Sequence, residues 1–227
     1  MAPIYNPPAS SAAIDSDEQY FTDLGLLSGL SKIVSATGGE TFPTPSEVYG
    51  TTAAVSSNCL KWESGTTNSW QGYDLTGAPF TRLLTIIYVY QSVANYEYLI
   101  HNKEDLDNAN DHSGDDFYLS SNSPSTTNTL LYKRVSATWS AQGADTTLYA
   151  GKTPIAVPSD PTFGWAWYTS YIGGVGSQRM WMKMGTTSEW MQTLAAADTD
   201  LQEFRSVALW TLGRSERIVT PFTIWGG

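Results

Sequence analysis

Leu83-Leu84-Thr85-Ile86-Ile87-Tyr88-Val89-Tyr90 is the stretch that decides the fold class. Six of its eight residues are β-branched or aromatic, and the run carries no charge. Such side chains fit a pleated surface covered on both sides, so the run reads as a central buried strand. It is too short to span a bilayer. Outward from it the pattern repeats: short apolar or aromatic runs separated by Gly, Pro, Asn, Asp and Ser. Ala53 to Glu63, Tyr96 to His101, Phe117 to Ser120, Thr129 to Trp139 and Thr146 to Ala150 read as strands. So do Trp165 to Ile172, Gln178 to Met184, Val207 to Leu212 and Ile218 to Trp225. Glu189 to Ala197 reads as a short helix or a loop. About ten short strands at irregular spacing predict an all-β sandwich or barrel.

Composition agrees. The chain has 227 residues, of which 41% are hydrophobic and only 15% charged. Ser and Thr, 25 and 27 residues, take the place of charge, and aromatics reach 13%. A core of that size excludes wholesale disorder. The 12 basic and 22 acidic residues give a net charge of −10, which argues against nucleic acid and anionic membranes as partners. A single cysteine, Cys59, excludes an intrachain disulfide, and Met1 to Ser11 has no signal-peptide pattern. The expected origin is a reducing cytoplasm.

The N-terminal region reads differently from the rest. Met1 to Asp17 carries three prolines in its first eight residues and predicts an extended arm. Thr22 to Val34 has apolar residues at Leu26, Leu27, Leu30, Ile33 and Val34 and predicts a helix, weakened by Gly25 and Gly29. The expected division is residues 1–45 as arm and short helix, for assembly or anchoring, and residues 46–227 as the β-sandwich.

Motifs for catalysis are missing. Gly174-Val175-Gly176-Ser177-Gln178-Arg179 departs from the dinucleotide fingerprint at Arg179 and lies between strand patterns, so it reads as a hairpin turn. The only histidines, His101 and His112, flank an acidic segment; Cys59 is not local to either, so neither a Cys-His nucleophile pair nor a zinc-ligand spacing among the three is offered. Glu97, Glu104, Glu189 and Glu203 stand alone, without the paired carboxylates of glycoside hydrolysis. A non-enzymatic protein is expected.

Two local features point to ligands. Trp165, Trp167, Tyr168 and Tyr171 fall within seven residues, and in a strand Trp165 and Trp167 share a face. Such rings stack on sugars, but they also fill sandwich cores and subunit interfaces. The segment Lys103 to Asp116 supplies Asp105, Asp107, Asn110, Asp111 and Asp115, oxygen donors of the kind Ca2+ takes. It departs from EF-hand spacing at Ala109 and has no closing Glu, and a solvated loop is the plainer reading.

The order of segments resembles the concanavalin A-like, laminin-G-like jelly roll. Asn58-Cys59-Leu60-Lys61-Trp62-Glu63-Ser64-Gly65 is similar to that family's early strand, and Phe80 to Tyr90 to its long central strand. Tyr98-Leu99-Ile100 resembles the short strand after it. Gly164-Trp165-Ala166-Trp167-Tyr168, Gln178 to Gly185 and Leu209 to Arg214 resemble the later ones. The likeness runs over roughly residues 48 to 225. It implies a jelly-roll body found in glycan-binding lectins and in non-enzymatic parts of virions and adhesins. The resemblance extends by context to tailed-phage capsid decoration (cement) proteins. That implies a virion-surface location, a major capsid protein or other virion protein as partner, and a homo-oligomer such as a trimer, with a cell-surface glycan as a further partner. A lectin-like module of a phage fibre or adhesin is the alternative. No cofactor is expected beyond Ca2+ at the acidic segment.

Overall fold

A computed structural model of the chain describes residues 18–36, 43–49, 54–56, 59–62, 69–91, 97–103, 117–123, 128–136, 138–145, 164–173, 177–184, 190–197, 200–212 and 217–227. They form fifteen strands after a short helical turn at residues 18–23. The first five strands are β1 (Ser31–Ala36), β2 (Glu47–Tyr49), β3 (Ala54–Ser56), β4 (Cys59–Trp62) and β5 (Ser69–Asp74). The next five are β6 (Leu83–Gln91), β7 (Glu97–Lys103), β8 (Phe117–Ser123), β9 (Asn128–Val135) and β10 (Thr138–Asp145). The last five are β11 (Gly164–Gly173), β12 (Ser177–Met184), β13 (Met191–Ala197), β14 (Ser206–Leu212) and β15 (Arg217–Gly226).

All pairings are antiparallel and build two sheets. The eight-stranded sheet runs β13-β12-β11-β6-β15-β4-β3, with β1 also on β15. The seven-stranded sheet runs β10-β9-β8-β7-β14-β5-β2. The apolar run around Ile86 is central, with β11 on one side and β15 on the other. Alternation sorts its side chains: Leu83 and Ile87 enter the core between the sheets, while Leu84 and Ile86 face outward. The inter-sheet core joins these to Ile172, Met180, Phe222 and Ile224 of the same sheet. Tyr73, Ile100, Leu131, Val207 and Leu209 come from the other. Burial pushes the Tyr73 hydroxyl pKa up.

Four sequence expectations are corrected. The helix over Thr22 to Val34 ends after residue 23, turns follow to residue 29, and β1 begins at Ser31. Gly25 and Gly29 both sit at positive φ, 73° and 74°, a conformation that terminates a helix. Glu189 to Ala197 contains a strand, β13, because pairing to β12 outweighs the helix propensity of its alanines. Thr129 to Trp139 is two strands, not one, folded back at Ser136 with φ 49°. Ala53 to Glu63 is likewise a pair, β3 and β4.

Pro221 interrupts a strand that is paired on both sides. The register slips there, between Val219 and Phe222, so the missing N–H falls in a bulge. At the strand's end a Cβ on Gly226 would press into the Ile33 side chain and lie 2.9 Å from Phe80 Cγ, which reserves that position for glycine. The Gly227 carbonyl accepts from the backbone N–H of Thr81 and Arg82, at 3.0 and 2.9 Å.

The arm expected at Met1 to Asp17 lies outside the described residues, as do Thr146 to Ala150 and the turn Gly174-Val175-Gly176. The strands flanking that turn pair as a hairpin, with Gly173 opposite Ser177.

Candidate functional site

β11 carries the four aromatic residues singled out in the sequence, and its alternation divides them. Ile172 belongs to the inter-sheet core, so Tyr168 stands at a position facing the other sheet. Trp165, Trp167 and Tyr171 share the outward face. Tyr171 is only 8% exposed there, with its ring edge-on to Trp181 at 6.5 Å. It belongs to a second apolar cluster, made with Leu84, Ile86, Trp181 and Trp190, and is out of reach of a ligand.

The cover over that cluster comes from the chain's own residues 18–30. Phe21 is fully buried, with ring centroids 5.6 Å from Trp181 and 4.9 Å from Trp190. Tyr20 stacks on Trp190 at 6.2 Å, and Leu26 and Leu27 complete the contact. Two cations pin the cover. The Arg82 guanidinium donates to the carbonyls of Ser28 (2.8 Å) and Leu26 (3.4 Å). Lys32 pairs with Glu18 at 2.7 Å and lies over the Trp225 ring, 4.8 Å from its centroid. The apolar residues that suggested one helical stripe are thus divided: Leu26, Leu27 and Leu30 serve this cover, while Ile33 and Val34 pack against the inter-sheet core.

Register places new partners beside the remaining tryptophans. Trp165 is opposite Tyr90, and Trp167 is opposite Tyr88 on β6 and Lys183 on β12. Paired strands are about 4.8 Å apart, and alternate residues along a strand roughly 6.6 Å. Four aromatic positions thus form one block about the size of a disaccharide face. Tyr88 and Tyr90 escaped the sequence reading because β6 and β11 are distant in the chain. Their alternation within a strand was the visible signal.

A groove of about 500 Å³ opens at the end of the sandwich, between Ser31, Lys32, Ile33, Thr76, Phe80 and the terminal glycines. Its cation is already engaged by Glu18 and Trp225, which leaves an aromatic edge and two hydroxyls.

The metal candidates Asp105, Asp107, Asn110, Asp111 and Asp115 lie outside the described residues, as does His112. Among the described residues no group of three His, Cys, Asp or Glu could hold a metal ion. Cys59 and His101 stand on different sheets. Glu203 lies in an exposed pair with Arg205, 3.7 Å apart. No described helix is long and apolar enough to cross a membrane.

No family model matches the sequence, and a search of curated proteins finds no match. Solved structures do match in shape. The exoplasmic/lumenal domain of VIP36, in its Ca2+/Man-bound form, aligns with a TM-score of 0.59 at 7% identity, over 87% of this chain and 91% of that one. The legume lectin-like domain from Entamoeba histolytica gives 0.55 at 10% identity, over 87% and 98%. The basic winged bean lectin with Tn-antigen gives 0.53 at 8% identity, over 87% and 98%. At such identities the likeness is one of fold: the chain is a lectin-like, concanavalin A-like jelly-roll β-sandwich with a short helix.

Proposed function

We propose that the chain is a non-enzymatic, lectin-like carbohydrate-binding module. The observation that carries this reading is the register pairing of Trp165 with Tyr90 and of Trp167 with Tyr88 on one outward face. Ring stacking on the apolar faces of sugars needs such a block, held rigidly by strands. The fold likeness supports it, since the similar structures include a lectin with Tn-antigen and a lumenal domain in a Ca2+/Man-bound form. Ca2+ at Asp105, Asp107, Asn110, Asp111 and Asp115 belongs to the same reading and predicts loss of binding in chelator. The test is a glycan array with the full chain. Binding that Trp167→Ala removes, at an unchanged unfolding midpoint, supports the reading, and an array without signal sinks it.

A second reading is assembly: an oligomeric decoration protein on a virion surface, made in the host cytoplasm. What supports it is β1, which pairs with β15 and with no other described strand, so its far edge is a place where a neighbouring chain can add. Light scattering tests it, and a monomer that does not bind capsids removes it.

A further inference from the structure

Charge is distributed unevenly between the two sheets. The strands of the eight-stranded sheet hold five basic residues, Lys32, Lys61, Arg179, Lys183 and Arg217, and neither Asp nor Glu. The strands of the seven-stranded sheet mix both signs, Glu47, Asp74, Glu97 and Asp145 with Lys103, Lys133 and Arg134. In a chain with 22 acidic residues, a carboxylate-free sheet runs against the composition.

Register puts most of those cations on the outward face. Lys183 is opposite Trp167. Lys61 is opposite Ile218, which is opposite Tyr90, so Lys61 stands on the other flank of the aromatic block. Arg179 is opposite Tyr171 on the same face as Trp181 and Lys183. It is half-buried and makes no ion pair among the described residues. Lys32 is the outward cation already engaged, by Glu18.

From this juxtaposition we propose that the ligand of the aromatic block is an acidic glycan, one bearing carboxylate or sulfate groups. The proposal rests on the carbohydrate-binding reading and narrows it. Trp165, Trp167, Tyr88 and Tyr90 take the ring faces, while Lys61 and Lys183 bracket them to meet anionic substituents on either side. A neutral sugar gives these cations nothing to neutralise. Attraction at this face also offsets the repulsion that a protein of net charge −10 presents to a polyanion.

The experiment is an array of neutral, sialylated, uronate-bearing and sulfated glycans probed with the full chain, followed by titration of the best binder. The expected result is binding confined to acidic members. Affinity should fall at least tenfold between about 50 and 500 mM NaCl, as screening shortens the reach of the cations. Lys61→Gln with Lys183→Gln should weaken binding about tenfold at an unchanged unfolding midpoint, and Trp167→Ala should abolish it. Binding of neutral glycans that Trp167→Ala removes and the lysine variants leave intact overturns the acidic class and leaves the carbohydrate reading standing. Equal retention of single-stranded DNA, insensitive to Trp167→Ala, marks a generic polyanion surface and overturns the proposal. Silence across both glycan classes overturns both readings.

Discussion

The eight-stranded sheet is buried on both faces at its Leu83 end, by two different devices. On the inner face Leu83, Ile172, Phe222 and Ile224 meet the seven-stranded sheet, so that cluster draws on strands from the whole chain. On the outer face Leu84, Ile86, Tyr171 and Trp181 meet one local segment, residues 18–30. The inner contact cannot open without separating the sheets. The outer one is a cover held by Phe21, by Arg82 and by the Lys32–Glu18 pair, and it can loosen while the sandwich persists. Burial of an aromatic on this sheet thus says little about function until the covering element is known.

Mutations separate the two devices. Phe204→Ala, at a fully buried position of the inter-sheet cluster, should cost about 3–5 kcal/mol in urea unfolding and lower ligand binding with it. Phe21→Ala should cost about 3 kcal/mol, near the bottom of that range, and raise binding of a hydrophobic dye while the far-ultraviolet spectrum stays that of a β-sandwich. An equal loss of all structure in both variants would end the distinction between core and cover. Arg82→Gln should cost about 2 kcal/mol through the lost carbonyl contacts of Leu26 and Ser28. It should also speed proteolysis within residues 18–30 ahead of the strands.

Alkaline pH acts on the inner device through Tyr73. Burial raises the Tyr73 pKa above its ordinary value near 10, so the unfolded chain loses that proton before the folded one. The contribution is fully present below about pH 10 and declines as pH rises above it, by about 1.4 kcal/mol per pH unit. Tyr73→Phe should flatten the fall in unfolding midpoint between pH 10 and pH 11. A slope unchanged in Tyr73→Phe would remove Tyr73 from the account.

Much of this was legible in the amino-acid order. The uncharged β-branched run at Leu83 to Tyr90 determined a buried central strand, because no other element accommodates it so well. Turn residues between short apolar runs determined an all-β chain, and period two placed Trp165 and Trp167 together. Gly25 and Gly29 already carried the signal that no helix continues to Val34. Pairing between distant strands was not legible, since it depends on loop closure and on the fit of two sheets. Tertiary structure alone brought Tyr88 and Tyr90 to Trp167 and Trp165, covered Tyr171 with Phe21, and drew five basic residues onto a sheet without carboxylates. A side chain's face follows from local periodicity; what stands opposite that face follows from register, which no local pattern encodes.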